Sequence, residues 1–473
     1  VSLLATARLA IVWTSLSRVG IQALQLLTFI VAARWLTPIE YGTFAIVALV
    51  TTFATLLNDF GLQAALIHEE APSPSRLSTA FSMNIAVGVL FSTIVALVAY
   101  PAQSLLEYPD LAIALIVCGS AFALSVTVVP SAILQRALQL GRLAAVEFGC
   151  SLFGCLVSVI LAANGFGVVS LSVGPVASAL TMTVALTVMT RYVPTAKPTV
   201  ADARSLWGFS GYLLGVNSTY YIFRNVDTIA LTALAGPAQV GLYSRAYAIV
   251  SAPVTQAGAV ISRVLFPILA RTQDDPDSFR ERWLRTSYAS FGLCLPVAIT
   301  VGVTSPYIVR MLFQPEWWPM AAIMTALSVA VPMRLLCNTI GPVFQATGHT
   351  GALFHVTIGQ GAATVAGVLI GTFWGPIGVA WGVAIASTIG SYLPLSVGLR
   401  FMNMSIINML GEFKWILLAG AAQLLAMSSV RMWDGFGSEG VSLAACLTLG
   451  TATYAAASFS LDRRFLRRIT GRT

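Results

Sequence analysis

Long apolar runs separated by short polar turns dominate the chain. A bilayer core about 30 Å thick needs about 20 apolar residues to be crossed by a helix. On that rule the runs predict fourteen transmembrane helices. They lie at about 10–33, 41–62, 77–99, 111–134, 143–163, 168–190, 208–233, 240–266, 287–309, 319–345, 351–373, 375–399, 413–430 and 441–460, with ends uncertain by several residues. The first run is long enough to span and is followed at once by a second, so it reads as a helix, not a cleaved leader.

Composition sharpens this into a class. Of 473 residues, 57% are hydrophobic and 9% charged, against about 25% charged in soluble domains. The formal charge of +8 is scattered between apolar runs, which fits topology and lipid headgroups better than a nucleic-acid surface. With the N-terminus inside, eighteen Lys and Arg fall on the cytoplasmic side, five of them in the tail at 463–472. Only Arg34, Arg310 and Arg431 fall on the other. This positive-inside asymmetry predicts two cytoplasmic termini in a multi-pass membrane protein.

Tryptophans fall at the span limits: Trp35, Trp317, Trp318, Trp374 and Trp433 outside, and Trp207, Trp283 and Trp415 inside. Amphipathic rings favour headgroup depth, so these residues read as interface anchors. The six cysteines lie within apolar runs without metal-ligand spacing and read as small core residues.

The chain carries an internal echo. Pro38 and Gly42, in ARWLTPIEYGTFAIV, match Pro237 and Gly241, in TALAGPAQVGLYSRAYAIV, at a constant offset of 199 residues. A second echo pairs Gly167-Val168 with Gly378-Val379 at an offset of 211. The amphipathic segment 310–320 accounts for the added length. An even number of helices between matching turns predicts two six-helix lobes in the same orientation, a parallel repeat that houses a substrate cavity and alternates its access. The organisation is therefore an N-terminal lobe (1–190), a polar linker (191–204), a C-terminal lobe (205–400), two further helices (401–460) and a basic tail (461–473). Prolines inside the spans, among them Pro296 and Pro332, read as tolerated kinks.

Charges inside the spans are the candidate chemistry, because each costs at least about 2.5–3.5 kcal/mol at bilayer depth. Arg18 and Arg334 lack a local partner and suit either a water-filled cationic cavity or an interhelical pair. Arg224 and Asp227 are three residues apart on one helix face and able to neutralise each other. Asp59, Glu147 and Arg263 lie near the cytoplasmic boundary. Guanidinium groups suit phosphate or pyrophosphate, which they bind in a planar, bidentate way. Gln22, Gln25, Asn217 and Asn225, with Tyr220 and Tyr221, suit sugar hydroxyls or ordinary interhelical hydrogen bonds.

The opening run RVGIQALQLLTFIVAARWLTPIEYGTFAIVALVTTFATLLNDFGLQAALI resembles the polysaccharide transporter family of bacterial flippases, as do LQRALQLGRLAAVE, NVDTIALTALAGPAQVGLYSRAYAIV and VFQATGHTG. That family belongs to the MOP superfamily, with Wzx-type flippases, lipid II flippases and MATE exporters. The resemblance implies an all-α, MOP flippase-like fold and translocation of undecaprenyl-pyrophosphate-linked oligosaccharide for lipopolysaccharide, capsule or exopolysaccharide synthesis. It adds weight to Arg18 and the Arg224/Asp227 pair as cavity residues, and makes Arg245 a gate or interface anchor. It implies a transporter without cofactor, driven by a proton or sodium gradient, with Asp59, Asp227 and Glu147 as the carboxylates available for coupling. The partners implied are lipid-linked oligosaccharide, membrane lipids and the polysaccharide polymerase and chain-length machinery around a monomeric flippase.

Two other functional classes fit a polytopic membrane protein less well. A drug or cation antiporter would favour cavity carboxylates, whereas arginines predominate. A membrane-embedded polymerase, ligase or glycosyltransferase would need a sizeable outer loop with catalytic residues, whereas the outer loops are short. His68, His349 and His355 lie in or near the cytoplasmic half, and the one Asp-x-Asp match, Asp275-Pro-Asp277, sits in a short charged loop.

Overall fold

The structure, a computed structural model, describes residues 3–59, 62–69, 72–206, 218, 221–433 and 438–461. Among these residues it is helical, with no strand. In chain order the helices are α1 Leu3–Ala32, α2 Pro38–Asp59, α3 Leu62–His68, α4 Pro74–Leu106, α5 Leu111–Leu124, α6 Val128–Arg136, α7 Leu140–Ala163, α8 Gly167–Thr190, α9 Val226–Leu234, α10 Pro237–Ala270, α11 Pro276–Leu312, α12 Met320–Ala346, α13 Thr350–Gly371, α14 Gly375–Gly390, α15 Tyr392–Arg400, α16 Ile406–Met432 and α17 Glu439–Leu461. Ten stretches of described helix are long and apolar enough to cross a membrane, or eleven if the α5–α6 pair, bent by 52°, is one broken span. One of the ten, Thr350–Arg400, folds back on itself through the turn Thr372–Trp374, with Gly367 against Gly382 and Gly371 against Gly378. Large apolar side chains such as Leu97, Phe373 and Leu425 lie on the exterior. That surface suits lipid and not water.

Local chemistry sets the helix starts. The run Thr37-Pro38-Ile39-Glu40 forms a capping box. Thr37 donates to Glu40 Oε2 from its backbone N–H at 2.6 Å and from its hydroxyl at 3.0 Å, and accepts from the Glu40 N–H at 3.4 Å. Ser73, Asp275 and Ser405 cap α4, α11 and α16 in the usual side-chain-to-backbone manner.

The chain divides into two compact units, Val1–Gly241 and Leu242–Thr473. In the first, α1 packs on α7, and α4 with α5 and α7 with α8 form tight pairs. The linker predicted at 191–204 is docked there. The Ala196 N–H donates to Ser78 Oγ, the Thr199 N–H to Thr79 Oγ1 at 3.0 Å, and the Ser75 hydroxyl to Asp202 Oδ2 at 2.8 Å.

In the second unit α11 is the central strut. It packs against α12, α16 and α17 around Trp283, Phe291, Phe344 and Phe413. A proline has no N–H, so the carbonyl four residues before it loses its helical donor. Three such carbonyls find hydroxyls on neighbouring helices, the repair expected where no water competes. Tyr454 donates to Gly292 O at 2.6 Å beneath Pro296, Thr325 to Gly302 O at 2.9 Å beneath Pro306, and Ser262 to Asn338 O at 3.0 Å beneath Pro342. Buried Gln423 adds a bond to Pro296 O at 3.1 Å. The final two helices are thereby built into the second unit through the carbonyls that proline leaves open in α11.

Two tryptophans expected at headgroup level are core residues. Trp283 and Trp317 are fully buried, and Trp283 Nε1 donates to Thr339 O at 3.2 Å. Their neighbours in sequence are charged or polar, which made them look interfacial. Helix packing, not lipid, receives their rings.

Candidate functional site

Arg18 stands on α1 with its side chain exposed. One residue earlier, Ser17 donates to Ala144 O of α7 at 2.9 Å, and Gly20 leaves room for the Phe148 ring. These contacts bring the two helices close, so the Arg18 guanidinium lies within electrostatic range of the Glu147 carboxyl without forming an ion pair with it. The structure thus brings one predicted cavity arginine near one predicted coupling carboxylate. Gln22 and Gln25 follow Arg18 at i+4 and i+7, which is one helical stripe; Gln22 is half-buried and Gln25 exposed. No sequence signal linked Arg18 to Glu147, because 129 positions separate them and the pairing of α1 with α7 is a tertiary fact.

The Arg224–Asp227 segment is split by a turn at Asn225. Arg224 is exposed, whereas Asp227 is buried and accepts from the Thr228 N–H at 2.7 Å. Asn225 spends its amide on Tyr221 O at 2.8 Å, and the Tyr221 hydroxyl donates to Leu49 O of α2 at 2.8 Å. The positions Asn217 and Tyr220 lie outside the described residues, as do the side chains of Asp59 and Arg263.

In the second unit Arg334 is half-buried on α12. Its guanidinium sits over the Tyr247 ring of α10 at 5.7 Å and donates to Ser387 Oγ of α14 at 3.4 Å. Tyr247 in turn stacks on Tyr243 at 6.2 Å. An aromatic face and a hydroxyl steady the cation without cancelling its charge. Sequence reading missed Tyr247 and Ser387; the run GLYSRAY pointed instead to Arg245, which is half-buried two residues before Tyr247.

The two matched turns of the internal echo meet in the first unit. A Cβ at Gly42 would strike the Pro237 carbonyl, and one at Gly241 would strike the Pro38 carbonyl. Nearby, Tyr108 donates to Ala235 O at 3.3 Å. Burial pushes the Tyr108 phenol up to about 12, so it remains a donor.

Similarity to known proteins agrees with this architecture. Residues 31–322 match the family of polysaccharide biosynthesis proteins. The lipopolysaccharide biosynthesis protein WzxC of Escherichia coli is 24% identical over 391 residues, 80% of this chain and 79% of WzxC. The succinoglycan biosynthesis transport protein ExoT of Rhizobium meliloti is 23% identical over 77% of this chain and 74% of its own. The teichuronic acid biosynthesis protein TuaB of Bacillus subtilis is 23% identical over 80% of this chain and 79% of its own. Among solved structures, lipid II flippase MurJ in an inward closed conformation aligns with a TM-score of 0.80 at 15% identity, over 96% of this chain and 100% of that one. An inward-facing MATE transporter of the MOP superfamily aligns with a TM-score of 0.60 at 14% identity, over 82% of this chain and 98% of its own. The matched span 31–322 is more than half of the chain, and the chain belongs to the polysaccharide biosynthesis protein family, an all-α multi-pass membrane protein with the MOP superfamily fold.

Proposed function

We propose that the chain is a flippase that carries undecaprenyl-pyrophosphate-linked oligosaccharide across the bacterial inner membrane by alternating access of a cationic cavity, for lipopolysaccharide, capsule or exopolysaccharide synthesis. Arg18 carries this reading: a guanidinium exposed on an apolar helix, within electrostatic range of Glu147 on the neighbouring helix. A charge at that depth is too costly to face hydrocarbon, so its exposed side meets water or an anion. A guanidinium grips phosphate oxygens through two parallel bonds. The relatives WzxC, ExoT and TuaB are named for different polymers. In the cargo proposed here the carrier pyrophosphate is the part an arginine would read, with Gln22 and Gln25 left for the first sugars.

Glu147 is the carboxylate assigned here to ion coupling, since it competes with the cargo for the same guanidinium. When protonated it releases Arg18 to the pyrophosphate, and when ionised it takes Arg18 back. Arg224, Asn225 and Arg334 are secondary contacts, Asp59 and Asp227 are alternative coupling groups, and Arg245 is a gate or interface anchor. The chain acts as a monomeric transporter and not as an enzyme, with both termini in the cytoplasm and polymerase and chain-length machinery downstream. An antiporter of cationic drugs shares the fold, but exposed arginines repel such cargo.

The test is flipping of a lipid-pyrophosphate oligosaccharide in proteoliposomes, with Arg18→Ala and Arg224→Ala beside the parent. The parent should flip and Arg18→Ala should be about tenfold slower, a loss of about 1.4 kcal/mol in the barrier. A parent that moves no lipid-linked sugar under any proton or sodium gradient ends the flippase reading. Parental rates in both variants end the site assignment alone.

A further inference from the structure

A groove of about 890 Å³ lies wholly within the second unit, and the transport site proposed above makes no use of it. Helices α10 and α11 form its walls, with residues of α12 between them. Its lining along α11 runs from Ser278 to Val301, and the charged residues gather at one end. Glu281, Arg282 and Arg285 form this mouth, and Leu293, Val297 and Val301 line the deeper part. The turn carrying the mouth is fixed in rotation. Phe279 and Trp283 are buried in the core, and Ser287 bonds Thr339 at 2.9 Å. Arg282 and Arg285 are left exposed on the groove side.

We propose that this groove holds one anionic glycerophospholipid from the leaflet at the arginine-rich start of α11. Its phosphodiester sits on Arg282 and Arg285, and an acyl chain lies along α11. Charge supports that occupant. Two guanidinium groups and one carboxylate leave a mouth of net +1, which balances the single negative charge of a phosphodiester. Asp275 also feels Arg282, but its side chain is committed to the N–H groups of Asp277 and Ser278 at the helix start. Length supports it too. The sixteen residues from Arg285 to Val301 rise about 24 Å, close to the roughly 20–22 Å of half a bilayer with its headgroups. A polyisoprenoid pyrophosphate is both longer and more highly charged than this seat.

The full-length protein, purified in detergent and delipidated, should retain phosphatidylglycerol at about one molecule per chain by mass spectrometry. Added phosphatidylglycerol should raise its melting temperature, and phosphatidylethanolamine should not. The variant Arg282→Gln/Arg285→Gln removes the headgroup seat. Val297→Trp fills the chain seat at an exposed position that does not threaten folding. Each should weaken phosphatidylglycerol binding about tenfold, or about 1.4 kcal/mol. Equal shifts with both lipids, unchanged binding in both variants, or preferential retention of undecaprenyl phosphate would each overturn the proposal. Lipid retention is read without any flipping assay, so this proposal and the flippase reading fail independently.

Discussion

The Tyr454 hydroxyl of α17 donates to the Gly292 carbonyl of α11 at 2.6 Å, the one carbonyl that Pro296 leaves without a helical donor. A gap in the hydrogen-bond ladder of one helix has become the attachment point of another. Tyr454→Phe should cost about 1–3 kcal/mol, the penalty for a buried acceptor left unsatisfied. Pro296→Ala restores the missing N–H, so the same Tyr454→Phe change made on that background should cost much less. Thermal unfolding of the four proteins in detergent checks this, and additive losses would refute the pairing.

Gly42 and Gly241 tolerate no side chain, because each faces the carbonyl of the other turn's proline. Gly42→Ala and Gly241→Ala should each destabilise by about 1–3 kcal/mol through overpacking. Gly236, which has open space around it, provides the control. Gly236→Ala should leave the melting temperature within about a degree, as surface changes usually do.

Arg18 and Glu147 should behave as a coupled pair. Glu147→Gln should slow ion-driven flipping while leaving binding of the lipid-linked sugar intact, and Arg18→Ala should weaken binding itself. In the double variant the losses should fall short of additive by about 0.5–3 kcal/mol, the range for residues in one charge network. Binding isotherms and flipping rates on the four proteins separate these outcomes; full additivity argues against coupling.

Arg334 rests on an aromatic face, not on a carboxylate. Tyr247→Phe keeps that face and should be close to neutral. Tyr247→Leu should cost about 0.5–2 kcal/mol, in the range of a cation–π contact. Equal stability of the two variants in thermal unfolding would discount the ring's electrostatic role.

Asp202 provides a pH test outside the membrane. Hydrogen bonds from the Thr199 and Ser75 hydroxyls hold its carboxyl below the usual value of 3.8. A carboxyl lowered on folding stabilises the docked linker above its ordinary pKa and loses that effect as pH falls through the lower folded value. Amide exchange at 196–205, corrected for its intrinsic pH dependence, should therefore be steady from neutral pH to about pH 4. It should rise below that. Asp202→Asn should loosen the same segment at neutral pH, and unchanged protection in that variant would show that the carboxylate is dispensable.

The membrane class, the apolar runs and the helix-starting turns are properties of short stretches, and they were legible in one dimension. Twenty apolar residues must cross a bilayer or be buried wherever they occur, and Thr-Pro-x-Glu caps a helix with groups only three residues apart. The echo of Pro38 and Gly42 in Pro237 and Gly241 was legible as well. Only the folded chain revealed that these two turns touch. Sequence also supplied the charges worth explaining, but not their partners. Glu147 beside Arg18, Tyr247 beneath Arg334 and Tyr454 on Gly292 are 129, 87 and 162 positions away. Trp283 and Trp317 went the other way, from expected anchors to core. The physical reason is common to all five. Hydropathy measures whether a residue leaves water, whereas the choice between lipid and a neighbouring helix is made by packing, and packing exists only in three dimensions.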